Sequence, residues 1–275
     1  MSIKLIAFDL DGTFLDDHKN CIKENMEAIC AAAERGVIIV PSSGRMFNGI
    51  PQEIRDLPFI RYAITINGAG VFDRQENLEI YRATIPFEDA ERIYDYAETL
   101  PCSYDCYMEN EGFIDRTFYD HLENYIEDEV IRRMNWRLRA PVDNFRQYMQ
   151  ACQGSPQKIQ LMFRDLERKQ YELETFDERF PGYVATSSLP PNIEINAAAA
   201  NKGAGLKALC EYLDIDLSEA MALGDGGNDV TMHQMAGLGV AMGNAPDEVK
   251  AIADVVVSTN EEGGVAEAIR KYVLG

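Results

Sequence analysis

Short apolar runs closed by turn residues alternate with amphipathic stretches at both ends of the chain. Residues 3–8 form such a run, which stops at Asp9-Leu10-Asp11-Gly12-Thr13. A short apolar run between polar boundaries predicts a strand buried on both faces. Ile22, Met26, Ile29 and Ala33 then recur at steps of three and four, which predicts a helix, and Gly36 stands where its C-terminal cap belongs. Residues 37–40 are the next buried run, stopped by Pro41-Ser42-Ser43-Gly44. A second helix is expected in the fifties, and residues 62–66 are a third strand ending in Asn67-Gly68-Ala69. Strands alternating with helices in this way predict a parallel α/β sheet.

From about Thr84 to Ser188 the texture changes. Aromatic and charged residues become denser, and the strands are expected to carry one polar face. Helical patterns are predicted at 87–99, 120–135 and 165–179, a hairpin across Asn110-Glu111, and further strands at 158–163 and 183–187. Strands of that kind suit a sheet packed on helices on one side only. After Pro190-Pro191 the buried α/β pattern returns, with strands expected at 193–195, 219–223, 238–242 and 255–257 and a helix at 203–213. The chain is therefore expected to be of the α/β class. A Rossmann-like parallel sheet core is built from 1–83 and 190–275, and an α+β cap domain, 84–189, is inserted between them.

Composition narrows the function. The 26 Lys+Arg against 46 Asp+Glu leave a net charge of −20 over 275 residues. A surface so acidic repels phosphate backbones and anionic bilayers, which argues against nucleic acid or a membrane as partner. No run of apolar residues has the length of a membrane span, and Asp9 and Asp11 interrupt the N-terminal run, so a cytoplasmic protein is expected. The six cysteines include no C-x-x-C, and His18, His121 and His233 have no ligand-like spacing, so reduced thiols are expected rather than disulfides or zinc. Trp136, Tyr125 and the basic group Arg132, Arg133, Arg137 and Arg139 read as packing residues and a solvated helix face.

Ligands of parallel sheets gather where strands end. Here those ends carry Asp9 and Asp11, Ser42-Ser43-Gly44-Arg45, Asn67-Gly68, and Gly224-Asp225-Gly226-Gly227-Asn228-Asp229, with Lys202 opening a helix near the same edge. Two residues apart, Asp9 and Asp11 are expected to point into one site, where Asp225 and Asp229 can join them. Carboxylates sharing a crevice repel one another unless a hard divalent cation joins them, and oxygen ligands favour Mg²⁺. A carboxylate can also be a nucleophile in aspartyl-phosphate chemistry. Glycine-rich loops, a hydroxyl and Lys202 supply donors for a phosphoryl group.

These motifs resemble those of the haloacid dehalogenase superfamily of phosphatases, in its Cof-type branch (subclass IIB, with a C2 cap). Asp9-Leu10-Asp11-Gly12-Thr13 is similar to DxDGT, Ser43-Gly44-Arg45 to the second motif, Lys202 to the third, and Gly224 to Asp229 to GDxxND. The resemblance implies a Mg²⁺-dependent phosphomonoester hydrolase acting on small phosphorylated metabolites such as sugar phosphates, with a phosphomutase or a non-catalytic phosphometabolite-binding regulator as alternatives. It implies Asp9 as nucleophile, Asp11 as general acid and base, and Lys202 as the neutralising cation. It places Leu10, Ser43, Gly44, Arg45, Asn67 and Asn228 around the substrate. The metal set would be Asp9, the Asp11 backbone carbonyl, Asp225 and Asp229. Whether Ser42 or Ser43 faces the phosphate is left open by one residue, and the cap is implied to exclude water and set specificity.

Overall fold

The computed structural model describes residues 2–275, which divide into two compact units, 2–82 with 201–275 and 83–200. The first unit begins with β1 (Leu5–Phe8), whose side chains are all buried. The helix Lys23–Glu34 buries Ala28, Ile29 and Ala32 and stops at Gly36, whose φ of +83° is the left-handed value a C-terminal cap requires. It leads to β2 (Ile38–Pro41), parallel to β1.

β3 (Tyr62–Thr65) lies beside β2, joined by the parallel bridge Ser42–Ile64 and the Ser43 N–H to Ile64 carbonyl bond of 2.9 Å. It does not simply extend the parallel sheet. Ile66, Asn67 and Gly68 all take positive φ and turn the chain back into β4 (Gly70–Asp73), which pairs with β5 (Leu78–Arg82) in a three-stranded antiparallel sheet. The helix expected in the fifties is the single turn Gln52–Arg55.

The second unit is a six-stranded sheet backed by helices. Its strands are β6 (Cys102–Met108), β7 (Glu111–Asp115), β8 (Ala140–Val142), β9 (Lys158–Phe163), β10 (Tyr183–Thr186) and β11 (Asn192–Ala197), in the order β10-β11-β9-β6-β7-β8. Alternation along the strands sorts the faces. Cys102, Tyr104, Cys106, Ile159, Leu161, Phe163, Ile193 and Ile195 pack against the helices Phe87–Ala97, Phe145–Cys152 and Leu166–Arg179. Asp105, Tyr107, Lys158, Gln160 and Glu194 occupy the alternate positions and are nonetheless buried. Their charges are paired, Lys158 with Glu194 at 2.9 Å and Asp105 with Arg139 at 3.0 Å.

Three expectations change here. The strand at 193–195 belongs to this unit and not to the parallel core, because β11 runs antiparallel to β9 and β10. Ile193-Glu194-Ile195 alternates apolar and polar positions, as the other strands of this unit do, and the unit ends at Ala200 rather than 189. The pattern at 120–135 is broken into Arg116–Asp120 and Glu129–Leu138, because Asp128 caps the second helix by accepting from Val130 and Ile131 N–H. Arg139 leaves the solvated face and is buried under its ion pair with Asp105. The helix Phe145–Cys152 and β8 have no counterpart among the expected elements.

The chain returns to the first unit with the helix Lys202–Leu213, β12 (Ala220–Gly224), the helix Val230–Met235, β13 (Leu238–Ala241), β14 (Val255–Val256) and the helix Gly264–Ile269. The five-stranded sheet has the order β14-β13-β12-β1-β2, parallel throughout. Ile6 and Phe8 pack with the helices 23–34 and 264–269, while Leu5 and Ala7 pack with 202–213. The strands are thus covered on both faces, and turn chemistry collects at their ends. Among the described residues no helix is long and apolar enough to cross a membrane, and all six cysteines are free thiols.

His233, in the helix after β12, is 3% exposed, and neither ring nitrogen has a hydrogen-bond partner among the described residues. Burial holds its imidazole below the ordinary value of 6.5, against the opposing pull of Asp229. The unfolded chain takes this proton near pH 6.5, the folded chain only at lower pH. The site therefore contributes stability above that value which is lost as the pH falls. Between about pH 7.5 and about pH 5.5, His233→Leu is expected to reduce the loss of unfolding free energy by up to about 1.4 kcal/mol. Urea unfolding of both proteins at both pH values checks this; equal losses would show that His233 takes up its proton as readily in the folded chain as in the unfolded one.

Candidate active site

The ends of β1, β2, β3 and β12 and the start of the helix at Lys202 bring most of the expected residues together. Asp9 follows β1 and is 6% exposed. Its Oδ1 accepts from Lys202 Nζ at 2.6 Å, and the same Nζ lies 2.5 Å from Asp229 Oδ1. Lys202 is fully buried and spans the two carboxylates. Burial would lower its affinity for the proton, but Asp229 and Asp9 together outweigh that and keep it firmly charged. Asn201 caps this helix by accepting from Ala204 N–H, which fixes where Lys202 starts.

Asp229 also accepts from the N–H groups of Asp225 and Gly226 at 3.0 and 2.9 Å, so both its oxygens are engaged. It organises the loop after β12 as much as it offers a ligand atom. Oxygens of Asp9, Asp225 and Asp229 lie within 4.8 Å of one another. Burial pushes the Asp9 carboxyl up to about 8; Lys202 opposes this, and repulsion from Asp229 and Asp225 adds to it. Burial likewise raises Asp225 to about 6, against the Thr13 hydroxyl, which donates to Asp225 Oδ1 at 2.7 Å. These values describe a crowded anionic site with one cation too few.

Asp11 is placed differently from expectation. Its carboxylate is not part of this cluster but is held by Arg45, Nε to Oδ2 at 2.9 Å and Nη2 to Oδ1 at 2.7 Å, with Lys19 Nζ at 3.0 Å. The period-two argument fails because β1 ends at Phe8, and Asp9 to Gly12 already form a turn in which Gly12 takes φ +77°. Burial raises the Asp11 carboxyl, but Arg45 and Lys19 more than offset it and hold it below its ordinary value. Only glycine fits position 12, since a Cβ there would lie 2.3 Å from Asp225 Oδ2.

Ser43 and Ser42 separate cleanly. Both are buried; Ser43 Oγ accepts from Arg45 N–H at 3.2 Å, while Ser42 Oγ has no hydrogen-bond partner among the described residues. Asn67 sits with φ +56° against Gly44, and its Oδ1 accepts from Asn228 Nδ2 at 3.3 Å. Leu10 packs its side chain in the core, so only its backbone is available to a ligand. Thr13 and Lys19 carry contacts that no motif position had assigned to them. Thr13 lay inside the quoted motif, whereas Lys19 comes from a loop with no pattern at all.

A family model for haloacid dehalogenase-like hydrolases matches residues 6–269. A 5-amino-6-(5-phospho-D-ribitylamino)uracil phosphatase of Bacillus subtilis is 34% identical over 281 residues, covering 100% of this chain and 97% of that protein. A haloacid dehalogenase-like hydrolase from Bacteroides thetaiotaomicron superposes with a TM-score of 0.83 at 28% identity, covering 98% of this chain and 99% of its own. A solved subclass IIB sugar phosphatase shares the fold, with a TM-score of 0.79 at 24% identity and 98% of each chain covered.

Proposed function

The chain belongs to the haloacid dehalogenase-like hydrolases and is a phosphatase of phosphorylated small molecules, and on that premise we propose that it hydrolyses sugar phosphates or related phosphometabolites with Mg²⁺, through an aspartyl phosphate on Asp9. The observation that carries this reading is the buried Asp9 carboxylate, with one oxygen on Lys202 and no hydrogen bond to the other among the described residues. The donor set of Asp9, Asp225 and Asp229 is all carboxylate, and its raised Asp9 and Asp225 carboxyls fit a hard dication. Asp9, Asp225 and the Asp11 carbonyl would hold that ion, with Asp229 beside them; when bound it supplies charge neutralisation for phosphoryl transfer.

The chain's own groups then divide the work. Asp9 attacks phosphorus in line, an O–P bond forms to its carboxylate, and the ester P–O bond breaks. Asp11 gives the leaving oxygen its proton. A water then attacks the aspartyl phosphate while Asp11 takes its proton, releasing phosphate and restoring Asp9. Held by Arg45 and Lys19, Asp11 is poised as the base, so its acid role requires it to leave that grip when substrate arrives. Lys202 balances charge on Asp9 and the phosphoryl oxygens. Ser43, the Gly44 and Leu10 amides, Asn67 and Asn228 would orient the phosphoryl group. Arg45 would serve the substrate only after releasing Asp11.

The test is phosphate release from a panel of sugar phosphates, the ribitylaminouracil phosphate cleaved by the Bacillus relative, and other small esters, with Mg²⁺ and with EDTA. Mg²⁺-dependent release from small esters is expected, abolished by EDTA. Release unaffected by EDTA would remove the cation from the mechanism. Exchange of phosphate between positions on a sugar, without free phosphate, would identify a mutase.

A further inference from the structure

We propose that Asn244 and Asn260 form a clamp on the loop that carries Asp9 and Asp11, and that Asn244 is a positioning residue for the cation site, an inference that rests on the Mg²⁺-dependent reading above. The loops after β13 and β14 are pressed together: Gly243 N–H donates to the Ser258 carbonyl at 3.1 Å. A Cβ at Gly243 would lie 2.9 Å from both Val257 O and Thr259 N, so no other residue permits this approach. The fused loops present two carboxamides to the turn after β1. Asn244 Nδ2 donates to Gly12 O at 2.8 Å and stands 3.5 Å from Asp225 Oδ2. Asn244 Oδ1 accepts from Asn260 N–H at 2.9 Å. Asn260 Nδ2 donates to Leu15 O and to Asp17 Oδ1, both at 3.1 Å, and Asp17 N–H donates to Glu261 Oε1 at 2.6 Å.

The consequence is geometric. Gly12 is the residue whose Cα lies against the Asp225 carboxylate, and it directly follows Asp11, whose carbonyl is the expected backbone ligand. Thr13 fixes one oxygen of Asp225 and Asn244 approaches the other. Three carboxylates held this close repel one another, so a turn free to relax would move them apart and lose the arrangement a small dication demands. Asn260 is 2% exposed and Asn244 is exposed. Asn244 can therefore be truncated without opening a cavity, and a loss there would report on position rather than on packing.

The experiment is calorimetric titration of substrate-free protein with Mg²⁺, beside melting in EDTA and phosphate release against Mg²⁺ concentration. Asn244→Ala is expected to weaken Mg²⁺ binding about tenfold, with kcat at saturating Mg²⁺ within about threefold of wild type. Asn244→Gln, which keeps the amide donor, recovers part of the loss; should Asn244→Ala not fold, Asn244→Ser takes its place under the same criterion. An unchanged Mg²⁺ affinity in the folded variant, whatever its melting temperature, overturns the clamp. A wild-type protein that binds no Mg²⁺ overturns instead the metal-dependent reading on which the clamp rests.

Discussion

Asp9→Asn is expected to lower phosphate release by at least about 10³-fold while leaving the protein folded and about as stable as wild type. The two halves of that expectation have different causes. In the mechanism proposed above an amide cannot form the aspartyl phosphate, so the chemical step loses its nucleophile outright. Stability holds because the native carboxylate is itself uncomfortable. Burial and its acidic neighbours push it up to about 8, and the neutral isostere removes that repulsion while Lys202 keeps Asp229 at 2.5 Å. The measurements are steady-state release across the ester panel and urea unfolding in EDTA. Release within tenfold of wild type would show that another group attacks phosphorus. A protein that fails to fold would show that the Asp9–Lys202 pair is structural first.

The parallel core and the acid cluster were legible because both follow from local patterns. A strand buried on both faces needs a continuous apolar run, and its polar boundary is necessarily the next few residues. Asp9, Ser43 and Asp225 could therefore be placed at strand ends before any tertiary contact was known. Partner choice was not legible in the same way. Residues 193–195 read Ile-Glu-Ile, an alternation with one polar position, and the run after Pro190-Pro191 is assigned to the core by its place in the chain; Ile193 and Ile195 face the helices of the second unit while Glu194 pairs with Lys158 on the neighbouring strand. The direction of Asp11 was hidden for a related reason. Its pairing with Arg45 depends on a turn set by Gly12 and on a residue 34 positions away. Burial of Arg139 was equally out of reach, because a basic cluster on a helix gives no sign of an Asp105 waiting on a distant strand.

Lys202→Met carries the largest combined effect, about 10²-fold or more in kcat and about 3–5 kcal/mol in stability measured in EDTA. Lys202 is the only cation in contact with the Asp9 and Asp229 carboxylates among the described residues, and it is completely buried. Methionine fills the same volume, so packing alone predicts little change. What the substitution leaves is two buried carboxylates facing one another without a counter-charge, which is the costly way to break an ion pair. Lys202→Arg does not repair it, because a planar guanidinium needs room that a fully buried ammonium slot lacks. Mg²⁺ is expected to restore part of the stability but not the rate, since a cation shared by Asp9 and Asp225 can offset repulsion while leaving the phosphoryl oxygens without the Lys202 charge. Urea unfolding of both variants with and without Mg²⁺, set beside kcat at saturating Mg²⁺, separates these contributions. A Lys202→Met protein as stable in EDTA as wild type would mean that the cluster sheds its charge by taking up protons, and that Lys202 serves the reaction alone.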